Sequence, residues 1–591
     1  MNNKQNYFVT EDPKRLRDSL IWDLQKQFYI EKGPTCWTEG IVPNFITSNS
    51  FIAKQYATII LGYIRDYYLK PNSNKQEPMY ILEIGSGHGK LGFLIIKHLL
   101  SLKSFWPKHV EKPFVYVISD FTDKLVNFCH NHKSLKEFID QGILDFALFD
   151  AEVDNSIHLM EHNLVLDSTT IRTPFICISN YVYNGLVEDL YTINDGVIQE
   201  GYSVVETDRQ ETNKHDPNII NRMRVNYIYK DINSEVIVFF YISTHKNLSL
   251  LFPYGALSNI SNLFKISHGD FIILCADKAY SQESDLLAIK GNPHLASHGS
   301  FSFMTNFHAL SKYIEVRGGQ SIFTPYIYIC YLYIYMLFIY IENFIIYISG
   351  LKVGVFIAGR EKKQLKETYM NIHDTLLSFD PDSFSHIQRC IREEIPSPSL
   401  KNILSLIRLS CYENEVFYKF KQLLIDRVPY ASEKIQNDIK IDLIYICNLY
   451  YPLQTTKDVH FDLGRLYMGL KCYSEGLNMF QQSVNTCGEH HVTWYNMGIC
   501  YYYLHIYDKS LECFSKCLNL SPDYHDANSW KTRIEARLLN PSSPSSPRDA
   551  YTSPINVYPE DTNMNNDNST APVINTNNTV HVISPGEDDV E

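Results

Sequence analysis

At 591 residues the chain is too long for one hydrophobic core, and two or three domains with linkers are expected. Its formal net charge is −13, of which −7 lies in residues 541–591, where eight acids face one base, Arg548. A mildly acidic body argues against general nucleic-acid binding, whose affinity comes largely from Lys and Arg on phosphates. Thirteen cysteines run from Cys36 to Cys517 with no C-x-x-C pair and no Cys/His cluster at ligand spacing. They read as reduced thiols of a cytoplasmic protein, with no metal site expected. The first residues lack the apolar core of a secretory signal, and Glu11, Asp12 and Asp18 do not suit a transit peptide.

Residues 1–75 are expected to form a helical cap. Leu16, Leu20 and Leu24, and then Ile52, Tyr56, Ile59, Ile60 and Tyr63, fall at helical spacing within 14–31 and 50–69. The irregular segment Trp37 to Asn49 between them reads as either a packed loop or a substrate-facing one.

Tyr80-Ile-Leu-Glu-Ile-Gly-Ser-Gly-His-Gly then gives a buried strand and a turn with glycines at Gly85, Gly87 and Gly89, followed by a helix through Leu94 to Leu100. Glycine lets the backbone bend sharply and approach a ligand, and the helix N-terminus offers free N–H groups. The spacing is not the G-x-G-x-x-G of a dinucleotide site. An ordinary tight turn would carry the same residues.

Three more strands end in polar groups: Phe114 to Asp120, Ile143 to Asp150-Ala151, and Pro174 to Asn180-Tyr181. A carboxylate closing the second strand suits a ribose diol, because it can accept from both hydroxyls at once. Strand ends in this order resemble class I S-adenosylmethionine (SAM) methyltransferases, with Glu83, Gly85, Gly87 and Gly89 as motif I. The resemblance implies an α/β Rossmann-like methyltransferase domain binding SAM through these residues, Asp120, Asp150 and Ala151. Asp150 would take up the adenine amino group.

Phe45-Ile-Thr47-Ser48 and Ser179-Asn180-Tyr-Val-Tyr-Asn184-Gly-Leu186 make the domain most similar to the MidA-like group, known for protein-arginine methylation. That group carries N-E-x-x-D-A-L-P. Here Tyr181 replaces the Glu, while Asn184 and Val187 stand at the Asp and Pro. Without those acids an arginine acceptor loses its grip. Asn180 and Tyr181 remain the catalytic candidates on the acceptor side, Asn180 through its carbonyl oxygen, although both could equally be structural.

Arg224 to Tyr229, Val236 to Tyr241 and Asp270 to Ala276 are expected as later strands of the same sheet, in a domain spanning 76–360. An apolar insertion at 324–350 interrupts it. The 24 residues from Tyr326 to Ser349 hold seven Tyr and eight Ile spread throughout. A membrane span would favour Leu, Val, Ala and Gly, with Tyr at its ends. The segment reads as a translated intron or gene-model error, with a membrane anchor or a buried strand insertion as alternatives. Gly318 to Phe323 and Val353 to Ala358 would otherwise be a short hairpin apart.

From Lys362 to about Leu539 the spacing is helical: a degenerate region at 361–455, then an all-α repeat domain at 457–540. His460, Leu463, Gly464, Tyr467, Gly476 and Phe480 recur 34 residues on as Trp494, Met497, Gly498, Tyr501, Ser510 and Phe514. The repeats, at 457–490 and 491–524, resemble the tetratricopeptide (TPR) repeat, and a capping helix follows. That resemblance implies a protein partner held in a groove lined by Phe461, Arg465, Met468, Tyr495, Ile499, Tyr502 and Tyr503, unless these aromatics pack among themselves. Residues 541–591 have the composition of a disordered acidic tail. The sequence thus points to a SAM-dependent methyltransferase acting on a protein recruited by TPR repeats. The alternative is an interaction scaffold on a catalytically degenerate methyltransferase fold.

Overall fold

A computed structural model describes residues 7–232, 247–289, 291–325, 351–453 and 457–539. The expected strand Val236 to Tyr241, the apolar stretch from Tyr326 and the acidic tail lie outside these residues.

The main sheet is built from β1 (Met79–Glu83), β2 (Phe114–Asp120), β3 (Leu144–Leu148), β4 (Phe175–Ile178), β5 (Phe271–Tyr280), β6 (Gln320–Phe323) and β7 (Leu351–Ala358). Their spatial order is 3-2-1-4-5-7-6, and β5 also pairs with the short strand Thr305–Asn306. Only β7 runs against its neighbours. Both faces are covered, so the strands read as continuous apolar runs, and Ile81, Val117, Phe146, Ile176 and Ile273 are fully buried. Helices α1 (Leu20–Lys32), α2 (Ser50–Tyr68), α3 (Lys90–Ser101) and α4 (Asp123–His130) come from the first 130 residues. Of these, α2, α3 and α4 cover one face, while α5 (Tyr254–Ile266) and α6 (Phe307–Val316) cover the other. This is the α/β Rossmann-like fold expected from the sequence.

Antiparallel β6 and β7 form the expected hairpin, with Phe323 opposite Gly354. The Thr324 amide donates to Val353 O at 3.0 Å, and Lys352 Nζ to Pro325 O at 3.1 Å. The chain therefore leaves and re-enters the sheet at adjacent positions.

Two expectations need correction. The N-terminal region is not wholly helical, because Phe8–Arg15 is a strand. It joins a second, antiparallel sheet with Asp189–Asn194, Val197–Thr207, Met223–Asp231 and Leu248–Phe252. Arg224 to Tyr229 belongs to that sheet and not to the main one. Its residues alternate between half-buried and exposed, as in a strand with one solvated face, whereas the strands of the main sheet are buried on both.

The chain divides into two compact units, Met1–Glu489 and His490–Glu591. The first unit holds both sheets and also α7 (Asn414–Arg427), α8 (Glu433–Asn448), α9 (Val459–Gly469) and α10 (Tyr473–Cys487). The second contains α11 (His491–Tyr503), α12 (Tyr507–Leu520) and α13 (His525–Leu539). The division falls between the two repeats. Each repeat is a helical hairpin closed in the same way: a Cβ on Gly464 would sit 2.6 Å from the Phe480 ring, and one on Gly498 would sit 2.8 Å from Phe514. Only glycine permits those crossings.

The proposed partner groove is also corrected. Phe461, Arg465, Tyr495, Ile499 and Tyr502 are all at most 9% exposed. Phe461 packs on Phe480, and Arg465 lies beside buried Asp462, which Lys421 of α7 also pairs at 2.8 Å. In the second unit Tyr495 meets Phe514 and Tyr524, and Tyr502 meets Trp530 of α13. Phe461, Arg465, Tyr495 and Tyr502 thus pack on other side chains of their own units. Among the described residues no helix is long and apolar enough to cross a membrane.

Candidate functional site

A cavity of about 410 Å³ opens at the C-terminal ends of β1 to β4, where an open α/β sheet places its ligands. It gathers Gly85, Gly87, Asp120, Asp150, Ala151, Asn180 and Tyr181 into one lining. Glu83 and Gly89 stand outside it and shape the turn. Glu83 is 4% exposed and accepts from Tyr116 Oη at 2.9 Å. Burial, partly offset by the hydrogen bonds of Tyr116 and the Gly92 amide, pushes its carboxyl up to about 8. A Cβ at Gly89 would lie 2.9 Å from Cys129 Sγ.

The turn's φ values are +58°, +55° and +76° at Gly85, Gly87 and Gly89, a region in which L side chains are strained. At Gly87 a Cβ would also come within 2.8 Å of the Trp37 indole. Asp120 closes β2 with its Oδ2 3.3 Å from the Gly87 amide and its Oδ1 3.1 Å from the Thr122 amide. Burial lifts its carboxyl to about 6, against those backbone bonds. Oδ1 also accepts from the Thr122 hydroxyl at 3.3 Å, so the lone pair left over is on Oδ2.

Asp150 is less free than its place at a strand end suggests. Its Oδ2 lies 3.2 Å from Lys26 Nζ of α1, and Lys26 also reaches Glu152 at 2.8 Å. Burial opposes the charge of Lys26, yet the Glu152 and Asp150 bonds hold its pKa above the ordinary lysine value. The side-chain carbonyl oxygen of Asn180 is fully committed. Oδ1 accepts from Tyr56 Oη and from the Ala276 amide, both at 2.9 Å, and Nδ2 donates to Thr47 O at 3.0 Å. No lone pair of that oxygen remains for an acceptor substrate, so Asn180 braces the site. Tyr181 has φ +54° and its amide bonds to Ala276 O at 2.9 Å, which turns its side chain to the cavity wall.

Several lining residues were not singled out from the sequence. Lys26 and Tyr29 come from α1, Lys278 from β5, and Phe301 and Ser302 from the short strand Ser300–Ser302. Trp37, Val42, Pro43, Asn44, Ile46, Thr47 and Ser48 show that the irregular 37–49 segment faces the cavity. A Trp and a Pro among hydroxyls in an irregular stretch were the available signal. Two buried acids stand behind the Asn180 end. Asp277, fully buried, accepts from the Asn184 and Lys278 amides at 3.0 and 2.9 Å, and burial lifts its carboxyl to about 8. Glu188, also fully buried, has no hydrogen-bond partner for either oxygen among the described residues. Burial, then the charges of Asp277 and Asp189, raises its pKa well above the usual range.

Residues 491–524 match the tetratricopeptide repeat family model. No curated protein matches the sequence. Among solved structures, an uncharacterized Burkholderia thailandensis protein is similar at 10% identity and a TM-score of 0.32, over 53% of this chain and 73% of its own. A second B. thailandensis protein, bound to S-adenosyl-homocysteine, is similar at 11% identity and 0.31, over 52% and 79%. The plantazolicin methyltransferase BpumL, in complex with the same ligand, gives 10% and 0.24, over 58% and 100%. At such scores the fold assignment rests on the strand order, and the site on its own geometry.

Proposed function

We propose that the protein is a SAM-dependent methyltransferase acting on a protein substrate, with the helical repeats as its protein-recognition part. The supporting observation is that the glycine turn, Asp120, Asp150-Ala151 and Asn180-Tyr181 converge on one cavity at the strand ends. The residues suit the cofactor. Gly87 keeps the space that a Cβ would close against Trp37, and Asp120 Oδ2 keeps a lone pair for a ribose hydroxyl. Gly85 and Gly87 would let the backbone approach the ligand, while Asp150 and Ala151 would flank the adenine. When bound, the cofactor supplies an electrophilic methyl group.

The chain's part is placement and the exclusion of water. Trp37, Val42, Pro43 and Ile46 wall the cavity, and Tyr181 stands beside the Asn180 brace where an acceptor can be oriented. Holding two reactants in register can contribute roughly 7–11 kcal/mol, which suffices for transfer without a dedicated base.

The committed Asn180 amide and the absent acids at Tyr181 and Asn184 favour a second reading, a scaffold that has kept the fold and lost transfer. Calorimetric titration of the full chain with SAM, followed by labelled-methyl transfer to proteins of a cell extract, separates the readings. Binding with transfer supports the enzyme. Binding without transfer supports the scaffold, and no binding by folded protein ends the cofactor reading.

A further inference from the structure

The glycine turn is gripped from far along the chain. Tyr451, 4% exposed, donates its hydroxyl to the carbonyl of His88 at 2.8 Å, and His88 lies between Gly87 and Gly89. The Tyr451 ring stacks on His132 with centroids 3.9 Å apart and lies 5.1 Å from Phe93 of α3. The fit is close enough that a Cβ on Gly89 would sit 3.2 Å from the Tyr451 oxygen.

Two residues further on, Lys90 opens α3 and its ammonium meets Glu413 at 2.7 Å, with side chains only 9% and 1% exposed. The other Glu413 oxygen accepts the amide of Ser50, the first residue of α2, at 2.6 Å. One buried carboxylate thus fixes the starts of α2 and α3 together.

These contacts go to the backbone and first helical turn of a loop built from three left-handed glycines, the softest backbone in the site. They come from the helical region ahead of the repeats: Glu413 caps the start of α7, and Tyr451 lies just before α9, where Tyr450 Oη donates to Lys457 O at 2.7 Å and α9 begins at Val459. Tyr451 also lines a second cavity of about 270 Å³, which shares Trp37, Val42, Pro43, Asn44 and Ile46 with the first. The same tyrosine therefore touches the turn from one side and a neighbouring cavity from the other.

We propose that Tyr451 and Glu413 are positioning residues of the cofactor turn, so that the turn's geometry is set by the helical segment leading into the repeats. The inference rests on the SAM reading above. Tyr451 holds the turn's backbone at His88 and Glu413 holds the Lys90 ammonium, so both act through the turn and not on the ligand. A buried carbonyl or ammonium stripped of its partner pays its full desolvation, so the turn relaxes when either contact is lost.

The test uses the full chain. Tyr451→Phe keeps the ring and removes one hydroxyl; Glu413→Gln keeps an acceptor oxygen and removes the charge facing Lys90. Tyr430→Phe, at a residue 74% exposed, is the control. SAM dissociation constants are measured by calorimetry at a temperature where each variant is folded by near-ultraviolet circular dichroism. Amide hydrogen exchange is followed at residues 85–92 without ligand.

The expected result for Tyr451→Phe is a three- to tenfold weaker SAM complex and faster exchange confined to the turn, with the control unchanged. Glu413→Gln weakens binding at least as much. If it does not fold, Tyr451→Phe decides alone. Wild-type affinity and exchange in Tyr451→Phe, whatever its melting temperature, would mean that the tyrosine merely packs, and the inference falls. A wild-type chain that binds no SAM overturns the methyltransferase reading instead, and the exchange measurement still decides whether Tyr451 sets the turn.

Discussion

Tyr56 of α2 donates its hydroxyl to Asn180 Oδ1 at the end of β4 across 2.9 Å, and the Ala276 amide of β5 shares the same oxygen. One side chain therefore joins a helix and two strands at the mouth of the cavity.

Removing that brace should cost stability before it costs binding. Asn180→Ala leaves the Ala276 amide, the Tyr56 hydroxyl and the Thr47 carbonyl unpaired, and unpaired buried groups cost about 1–3 kcal/mol each, less whatever water recovers. We expect a loss of about 2–4 kcal/mol in urea titration, and about 1 kcal/mol for Tyr56→Phe. A variant as stable as the wild type would show that the amide is free for substrate.

Gly87→Ala meets two obstacles, the +55° φ and the Trp37 ring 2.8 Å away. The left-handed conformation alone costs about 1–2 kcal/mol. SAM affinity should fall at least tenfold by calorimetry. Adding Trp37→Ala relieves the clash but not the backbone strain, so it should restore part of the affinity. Full retention of binding in Gly87→Ala would place the cofactor elsewhere.

These two positions show what the sequence could and could not disclose. Gly87 and Asp120 were legible because a β-α-β unit is local: strand, turn and acid lie within forty residues and their order carries the meaning. Tyr56 against Asn180, Lys26 against Asp150 and Tyr451 against His88 were not, because each pairs residues 124 to 363 apart that no spacing connects. The second sheet was missed for the same reason, with Phe8 paired to Thr207. The partner groove failed differently. Helical spacing marked Tyr495 and Tyr502 as a common face but could not show that Trp530 and Tyr524 cover it.

Glu83 makes stability depend on pH. Its folded pKa is about 8 against an ordinary 4.5, so between those values the folded state holds a proton that the unfolded state releases. Folding stability from this group is therefore highest below about 4.5, falls by at most about 1.4 kcal/mol per pH unit through the window, and levels off above about 8. Glu83→Gln removes the dependence. The variant should gain on the wild type in urea midpoints as pH rises from about 5 to about 8. A difference that stays constant with pH would mean that the carboxylate is ionised in the fold.

The hairpin of β6 and β7 bears on the apolar segment that the sequence marks as foreign. Thr324 and Val353 already exchange hydrogen bonds, at 3.0 Å from amide to carbonyl and 3.1 Å from the Val353 amide to Thr324 Oγ1. The sheet pairing on either side is complete: Phe323 faces Gly354, and Leu351 faces Lys278 of β5. Replacing residues 326–350 by two glycines leaves a five-residue connection between Thr324 and Val353, a length within the usual hairpin range. Since β7 supplies the strand between β5 and β6, a chain cut at residue 323 lacks part of its sheet, whereas the two-glycine chain keeps all seven strands. That chain should fold, melt within about 3 °C of the full-length protein and bind SAM with unchanged affinity, because less than 1 kcal/mol separates loops of ordinary length. Failure to fold would show that the segment contributes to the core and is not an intruder in the reading frame.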